Sequence, residues 1–175
     1  VVKPLVDQID HSFLEDLPGL SDCSLTGLAC WIEAQIAPGI PGLTRVRVAP
    51  VGECRFAPVR LEADSLLGLP ARIRFTFEAA QQLPHLPEGH PCRNLHGHTY
   101  RVEAAAADLD ALESALSGLY DELDHRCLND FPELTEATSE RICGWIWDRL
   151  ARRVDGLTTV VVQETETARC IYHGE

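Results

Sequence analysis

Apolar and polar positions alternate most legibly over residues 72–175. Leu109, Leu112, Leu116, Leu119 and Leu123 recur at the spacing of one helical face, which predicts a helix from Asp108 to Leu123. A second helix is predicted from Thr138-Ser139-Glu140, whose hydroxyls suit an N-cap, to about Ala151. Its buried stripe is Ile142, Trp145, Ile146 and Leu150. Arg72 to Ala79 and His98 to Ala105 carry β-branched and aromatic residues in partial alternation around a Pro/Gly-rich loop from Pro84 to Pro91, the pattern of a hairpin. Thr158 to Val162 and Ala168 to Tyr172 read as closing strands. Two strands, two helices and two strands make an α+β arrangement.

The same pattern occurs in part a second time. Leu5-Val6-Asp7-Gln8-Ile9-Asp10-His11 returns as Leu119-Tyr120-Asp121-Glu122-Leu123-Asp124-His125, 114 positions on, and the register continues without a gap through Leu14/Leu128, Trp31/Trp145, Gly42/Gly156 and Val46/Val160. Residues 1–58 therefore read as the C-terminal half of a first copy (helix end, helix, two strands), 59–71 as a linker and 72–175 as a complete copy. The first copy lacks its hairpin and the chain begins at Val1, so the sequence is expected to be a fragment or processed form of a tandem protein. Alternatively, the second copy or a neighbouring subunit covers the open edge.

Charge narrows the range of partners. The net charge is -12, and Lys3 is the only lysine, which excludes nonspecific binding to a phosphate backbone. An anionic small substrate would need local arginines; Arg72, Arg74, Arg93 and Arg126 are the candidates. No run approaches the ~20 apolar residues that span a bilayer, and no leader pattern opens the chain. Seven scattered cysteines without a CxxC pair fit neither a disulfide framework nor a cysteine-based zinc finger. A soluble cytoplasmic protein with no membrane or nucleic-acid partner is expected.

His96 and His98 flank Gly97 at the start of a predicted strand. The period of two puts both imidazoles on one face, an arrangement suited to two ligands of a tetrahedral zinc. Asp124-His125 pairs a carboxylate with an imidazole, as proton transfer requires.

The segments Phe77-Glu78-Ala79-Ala80-Gln81-Gln82-Leu83-Pro84, His85-Leu86-Pro87-Glu88-Gly89-His90, Cys92, Leu95-His96-Gly97-His98-Thr99-Tyr100, Leu123 to Asp130, Thr138-Ser139-Glu140 and Glu164 to Glu175 occur in an order that resembles the 6-carboxytetrahydropterin and 6-pyruvoyltetrahydropterin synthase family. The stretch before the HGH resembles more closely the 6-carboxytetrahydropterin synthases of queuosine synthesis. The resemblance implies a tunnelling fold, that is, an antiparallel sheet with two helices on one face, and a homo-oligomer with sites at subunit interfaces. It also implies a zinc-dependent lyase acting on 7,8-dihydroneopterin triphosphate.

Carried over by position, His96, His98 and residue 81 are the metal ligands, and here the family's histidine is replaced by Gln81, a poorer donor. Cys92 matches a catalytic thiol, Asp124-His125 the proton-transfer dyad, Glu164 the anchor of the pterin ring, and Thr138, Ser139 and Glu140 a second ring contact. Asp10-His11 is a second catalytic dyad candidate, able to complete the site across a boundary. Gln81 keeps open an alternative reading, a pterin-binding or assembly member with weak or no turnover. A sibling activity giving a 6-pyruvoyl or 6-hydroxymethyl pterin is a further one.

Overall fold

The computed structural model describes residues 2–50 and 54–175. The chain divides into two compact units, one of residues 1–51 with 84–96, the other of residues 52–83 with 97–175.

The first unit is built on two helices, α1 (Val2–Ile9) and α2 (Leu25–Ile36). Ser24 caps α2 by accepting the Gly27 N–H at 3.1 Å. A small core of Leu5, Leu17, Leu20, Trp31 and Ile36 joins the helices, and the Trp31 indole donates to the Pro18 carbonyl at 3.1 Å. Thr44 to Val48, which lies 114 positions before the predicted strand Thr158 to Val162, has no ladder partner among the described residues and is irregular. A strand exists only where a neighbour takes its backbone hydrogen bonds, and none of the described residues does so here. The domain boundary expected at residue 58 follows a stretch, 51–53, that lies outside the described residues.

The second unit is a six-stranded sheet in the order β1 (Val59–Leu61), β2 (Arg72–Gln81), β3 (His96–Ala105), β5 (Thr159–Gln163), β6 (Arg169–Tyr172); β3 enters it after its first residue. The short β4 (Arg126–Cys127) pairs in parallel with Ala79 and Ala80 of β2. β1 falls in the expected linker, where Val59, Arg60 and Leu61 pair with Arg74, Ile73 and Arg72. Three residues are too few for alternation to register. Helices α3 (Leu109–Leu123) and α4 (Ser139–Leu150) start behind Asp108, whose carboxylate accepts two backbone N–H groups, and behind Thr138, which accepts the Arg141 N–H. The Thr138 cap and both apolar stripes were readable in the sequence; the Asp108 cap was not singled out.

Ile73, Phe75 and Phe77 of β2 alternate inward and join Tyr100 and Val102 of β3, Val160 and Val162 of β5, and the leucines of α3 in one core. Phe77 stacks on Tyr100, ring centroids 4.9 Å apart and 12° from parallel.

Local structure repeats at the same offset as the sequence. α2 and α4 begin and end 114 positions apart, α1 and α3 end 114 apart, and the 3-10 turns Leu14–Asp16 and Leu128–Asp130 correspond. His11 (φ 54°) and His125 (φ 57°) are the two non-glycine residues with positive φ among those described.

Phe77→Ala should destabilise the protein by about 3–5 kcal/mol, because both its buried area and its ring partner are lost. Urea unfolding checks this, and a loss under about 1 kcal/mol would show that the site collapses to fill the cavity.

Candidate active site

In the second unit the dyad is fixed by one carboxylate. Asp124 caps the end of α3. Its Oδ1 accepts the Glu78 N–H at 2.9 Å, and its Oδ2 accepts the Tyr120 hydroxyl at 2.8 Å and faces His125 Nδ1 at 2.6 Å. The His125 N–H donates in return to the Glu78 carbonyl at 2.6 Å. This reciprocal clamp between β2 and the loop holds His125 in the left-handed region, a conformation that costs roughly 1–3 kcal/mol unless its surroundings impose it.

Burial alone would raise the Asp124 pKa. The hydrogen bonds from Glu78, His125 and Tyr120 outweigh burial and hold the carboxyl below its ordinary value. Burial, followed by the bond to Asp124, pushes the Tyr120 phenol up to about 12, so it stays a donor. His125 is exposed and keeps its Nε2 for chemistry. It lines a groove of about 480 Å³ with Glu78, His98, Thr99, Arg126 and Cys127, where the Thr99 hydroxyl donates to the Glu78 carboxylate at 2.8 and 3.0 Å. Tyr120 and Glu78 were not singled out from the sequence. A tyrosine four residues before an aspartate on a helix is the signal that would have found the first.

Glu164 stands just past the end of β5. Burial raises its pKa, partly offset by the side chains of Ser139 and Gln81, and its Oε1 is buried without a hydrogen-bond partner among the described residues. Gln81 is the last residue of β2 and only 1% exposed, and its Oε1 is likewise a buried acceptor without a partner there. The Tyr100 hydroxyl is a third such group; burial first and Glu164 second raise its pKa. With the Trp145 indole Nε1, four buried polar atoms of this unit lack a hydrogen-bond partner among the described residues, which is costly unless a ligand or water completes them. Thr138 and Ser139 are half-buried at the α4 N-terminus, and Glu140 is exposed. Glu140 is the one predicted residue that also lines a larger groove of about 700 Å³, walled by Trp145 and the Arg149 and Arg153 partners of Glu122.

In the first unit, His96 is buried and its Nδ1 lies 2.7 Å from the Asn94 carbonyl. Burial lowers its pKa. The Asn94 bond and Asp10 oppose that shift and the His11 ring reinforces it. The His11 and His96 rings lie 4.5 Å apart, tilted by 40°, and His11 Nδ1 is 3.1 Å from Asp10 Oδ1. Cys92 sits half-exposed in the 3-10 turn Pro91–Arg93, and its N–H donates to His90 Nδ1 at 3.2 Å.

The donor set fits a divalent metal. Two imidazoles present ring nitrogens within 4.8 Å of each other, and His96, held neutral by burial, offers a lone pair.

A family model described as 6-pyruvoyl tetrahydropterin synthase matches residues 71–175. The chain belongs to that family. It is 40% identical over 115 residues to a 6-carboxy-5,6,7,8-tetrahydropterin synthase of Synechocystis, covering 56% of this chain and 88% of the relative. It is 28% identical over 94 residues to a dihydroneopterin monophosphate aldolase of Pyrococcus furiosus, covering 49% and 81%. The structure of the Caenorhabditis elegans 6-pyruvoyl tetrahydropterin synthase superposes with a TM-score of 0.53 at 23% identity, over 69% of this chain and 99% of that one, which shows the shared α+β fold. As a member of this family the chain is a carbon-carbon lyase. No helix among the described residues is long and apolar enough to cross a membrane.

Tyr120→Phe removes a donor to Asp124 and should raise the carboxyl's pKa toward its ordinary value. The stabilisation from a depressed carboxyl is present above the unfolded-state pKa, about 3.9, and is lost as pH falls through the folded value, so in the variant that loss begins at higher pH. Carbon-13 NMR titration of the Asp124 carboxyl reads it; an unmoved titration would mean that the phenol bond does not favour the charged form.

Proposed function

We propose that the chain is a 6-carboxytetrahydropterin synthase acting on 7,8-dihydroneopterin triphosphate, in the pathway to queuosine. The observation that carries this reading is the half-buried Glu164 carboxylate, with one buried oxygen left without a hydrogen-bond partner among the described residues. A pterin ring offers an N–H and an amino group to such a carboxylate in a bidentate pair. Thr138, Ser139 and Glu140 flank the ring, with Thr138 also serving as helix cap. The 40% identity to the Synechocystis enzyme supports the choice among family activities.

His96 and His98 hold the zinc in this reading, with the Gln81 carbonyl as a further donor. When bound, zinc supplies Lewis acidity toward the hydroxyl and carbonyl oxygens of the substrate side chain. The Cys92 thiolate takes a side-chain proton. His125, oriented through Nδ1 by Asp124, accepts and returns protons at Nε2. Triphosphate leaves, and side-chain cleavage, which consumes one water, yields the 6-carboxy product and acetaldehyde. The chain works in a homo-oligomer, in soluble form in the cytoplasm, and its first 58 residues are an incomplete copy of the same fold.

Gln81 favours one competing reading, a pterin-binding or assembly member with little turnover. Zinc content by mass spectrometry, followed by product analysis with the triphosphate substrate, separates the two. Bound zinc and the 6-carboxy product support the synthase. An inert protein that gains metal and turnover on Gln81→His supports the alternative, and a 6-pyruvoyl or 6-hydroxymethyl product replaces the proposed reaction with a sibling one.

Glu164→Gln should weaken pterin binding by about 10–100-fold, the loss of a hydrogen bond to charge. In the unmodified protein affinity should rise with pH through the elevated Glu164 pKa, and in the variant that step should vanish. Fluorescence titration with a non-reactive pterin measures both. Equal affinity in the two proteins would remove Glu164 from the site.

A further inference from the structure

We infer that His11 is a ligand of the metal held by His96, supplied by the partial repeat in place of the histidine missing at position 81. The claim rests on the metal-dependent reading above but concerns a residue that the family's own ligand positions do not include.

The two rings are close enough to serve one ion, with ring nitrogens within 4.8 Å of one another, and the His96 ring is oriented as a metal-ligating histidine is. A ligating imidazole engages one nitrogen with a carbonyl or carboxylate, which fixes its tautomer and orientation, and offers the other nitrogen to the metal. His96 places Nδ1 2.7 Å from the Asn94 carbonyl, and His11 places Nδ1 3.1 Å from the Asp10 carboxylate. Ring centroids 4.5 Å apart and tilted by 40° suit two imidazoles sharing one ion, and not a flat stack.

The backbone is built to hold this pose. His11 sits at φ 54°, and its carbonyl accepts the Asn94 side-chain N–H at 3.3 Å, so Asn94 braces both rings, one through its carbonyl and the other through its amide. Imidazole is a better zinc donor than an amide oxygen, which explains how a chain with Gln81 keeps a metal.

The test reads metal binding in the full chain without pterin. Zinc affinity by chelator competition, and the visible band of the cobalt-substituted protein, are compared for the unmodified chain, His11→Gly and Asp10→Asn. Glycine tolerates the left-handed backbone, so His11→Gly removes the ring without strain. Asp10 is largely exposed, so its change leaves packing intact. His11→Gly should lose more than about 100-fold in zinc affinity, beyond the 10–100-fold that loss of an outer partner costs, and added imidazole should restore the cobalt band. Asp10→Asn should lose about 10–100-fold. Unchanged affinity and an unchanged band in His11→Gly overturn the inference, and if turnover alone falls, His11 moves protons instead. Tight, His11-dependent metal binding in a protein that turns over no pterin would contradict the proposed reaction and leave this assignment standing.

Discussion

One carboxylate organises the second unit. Asp124 accepts a backbone N–H from β2, a hydroxyl from the last turn of α3 and its neighbour's imidazole, while Glu78 closes the loop by accepting the His125 N–H. Sheet, helix and dyad loop are therefore fixed by a few charge-assisted bonds, which are about twice as strong as neutral ones. Hydrophobic packing brings α3 onto the sheet, but it is non-directional. The directional bonds at Asp124 decide where His125 points and pair β4 with β2.

The two Asp-His pairs show how one local structure serves different surroundings. Both histidines adopt the same left-handed backbone at the same offset. Asp124 is half-buried under three donors, whereas Asp10 is exposed and faces its histidine. A carboxylate held ionised by several bonds suits a histidine that cycles protons. One that steadies a ring against a second imidazole suits a ligand.

Much of the fold was legible because its helices are long and periodic. The leucines of α3, the Thr138 cap and the alternating Phe75, Phe77 and Tyr100 announced their places. The Glu164 position was legible only through the family's motif order. β1 and β4 were not, since three and two residues carry no period. Thr44 to Val48 has strand composition without a strand, because pairing is a property of the neighbour as much as of the segment. The facing of His11 on His96 spans 85 positions and leaves no local pattern.

The account turns on Asp124 keeping His125 aimed for proton transfer. The most direct measurement is kcat of Asp124→Asn at saturating zinc and saturating 7,8-dihydroneopterin triphosphate, on protein shown by circular dichroism to be folded. The asparagine keeps the shape but not the charge. A fall of about 10²–10⁴-fold is predicted; an unchanged kcat would contradict the account and move the proton chemistry to another residue.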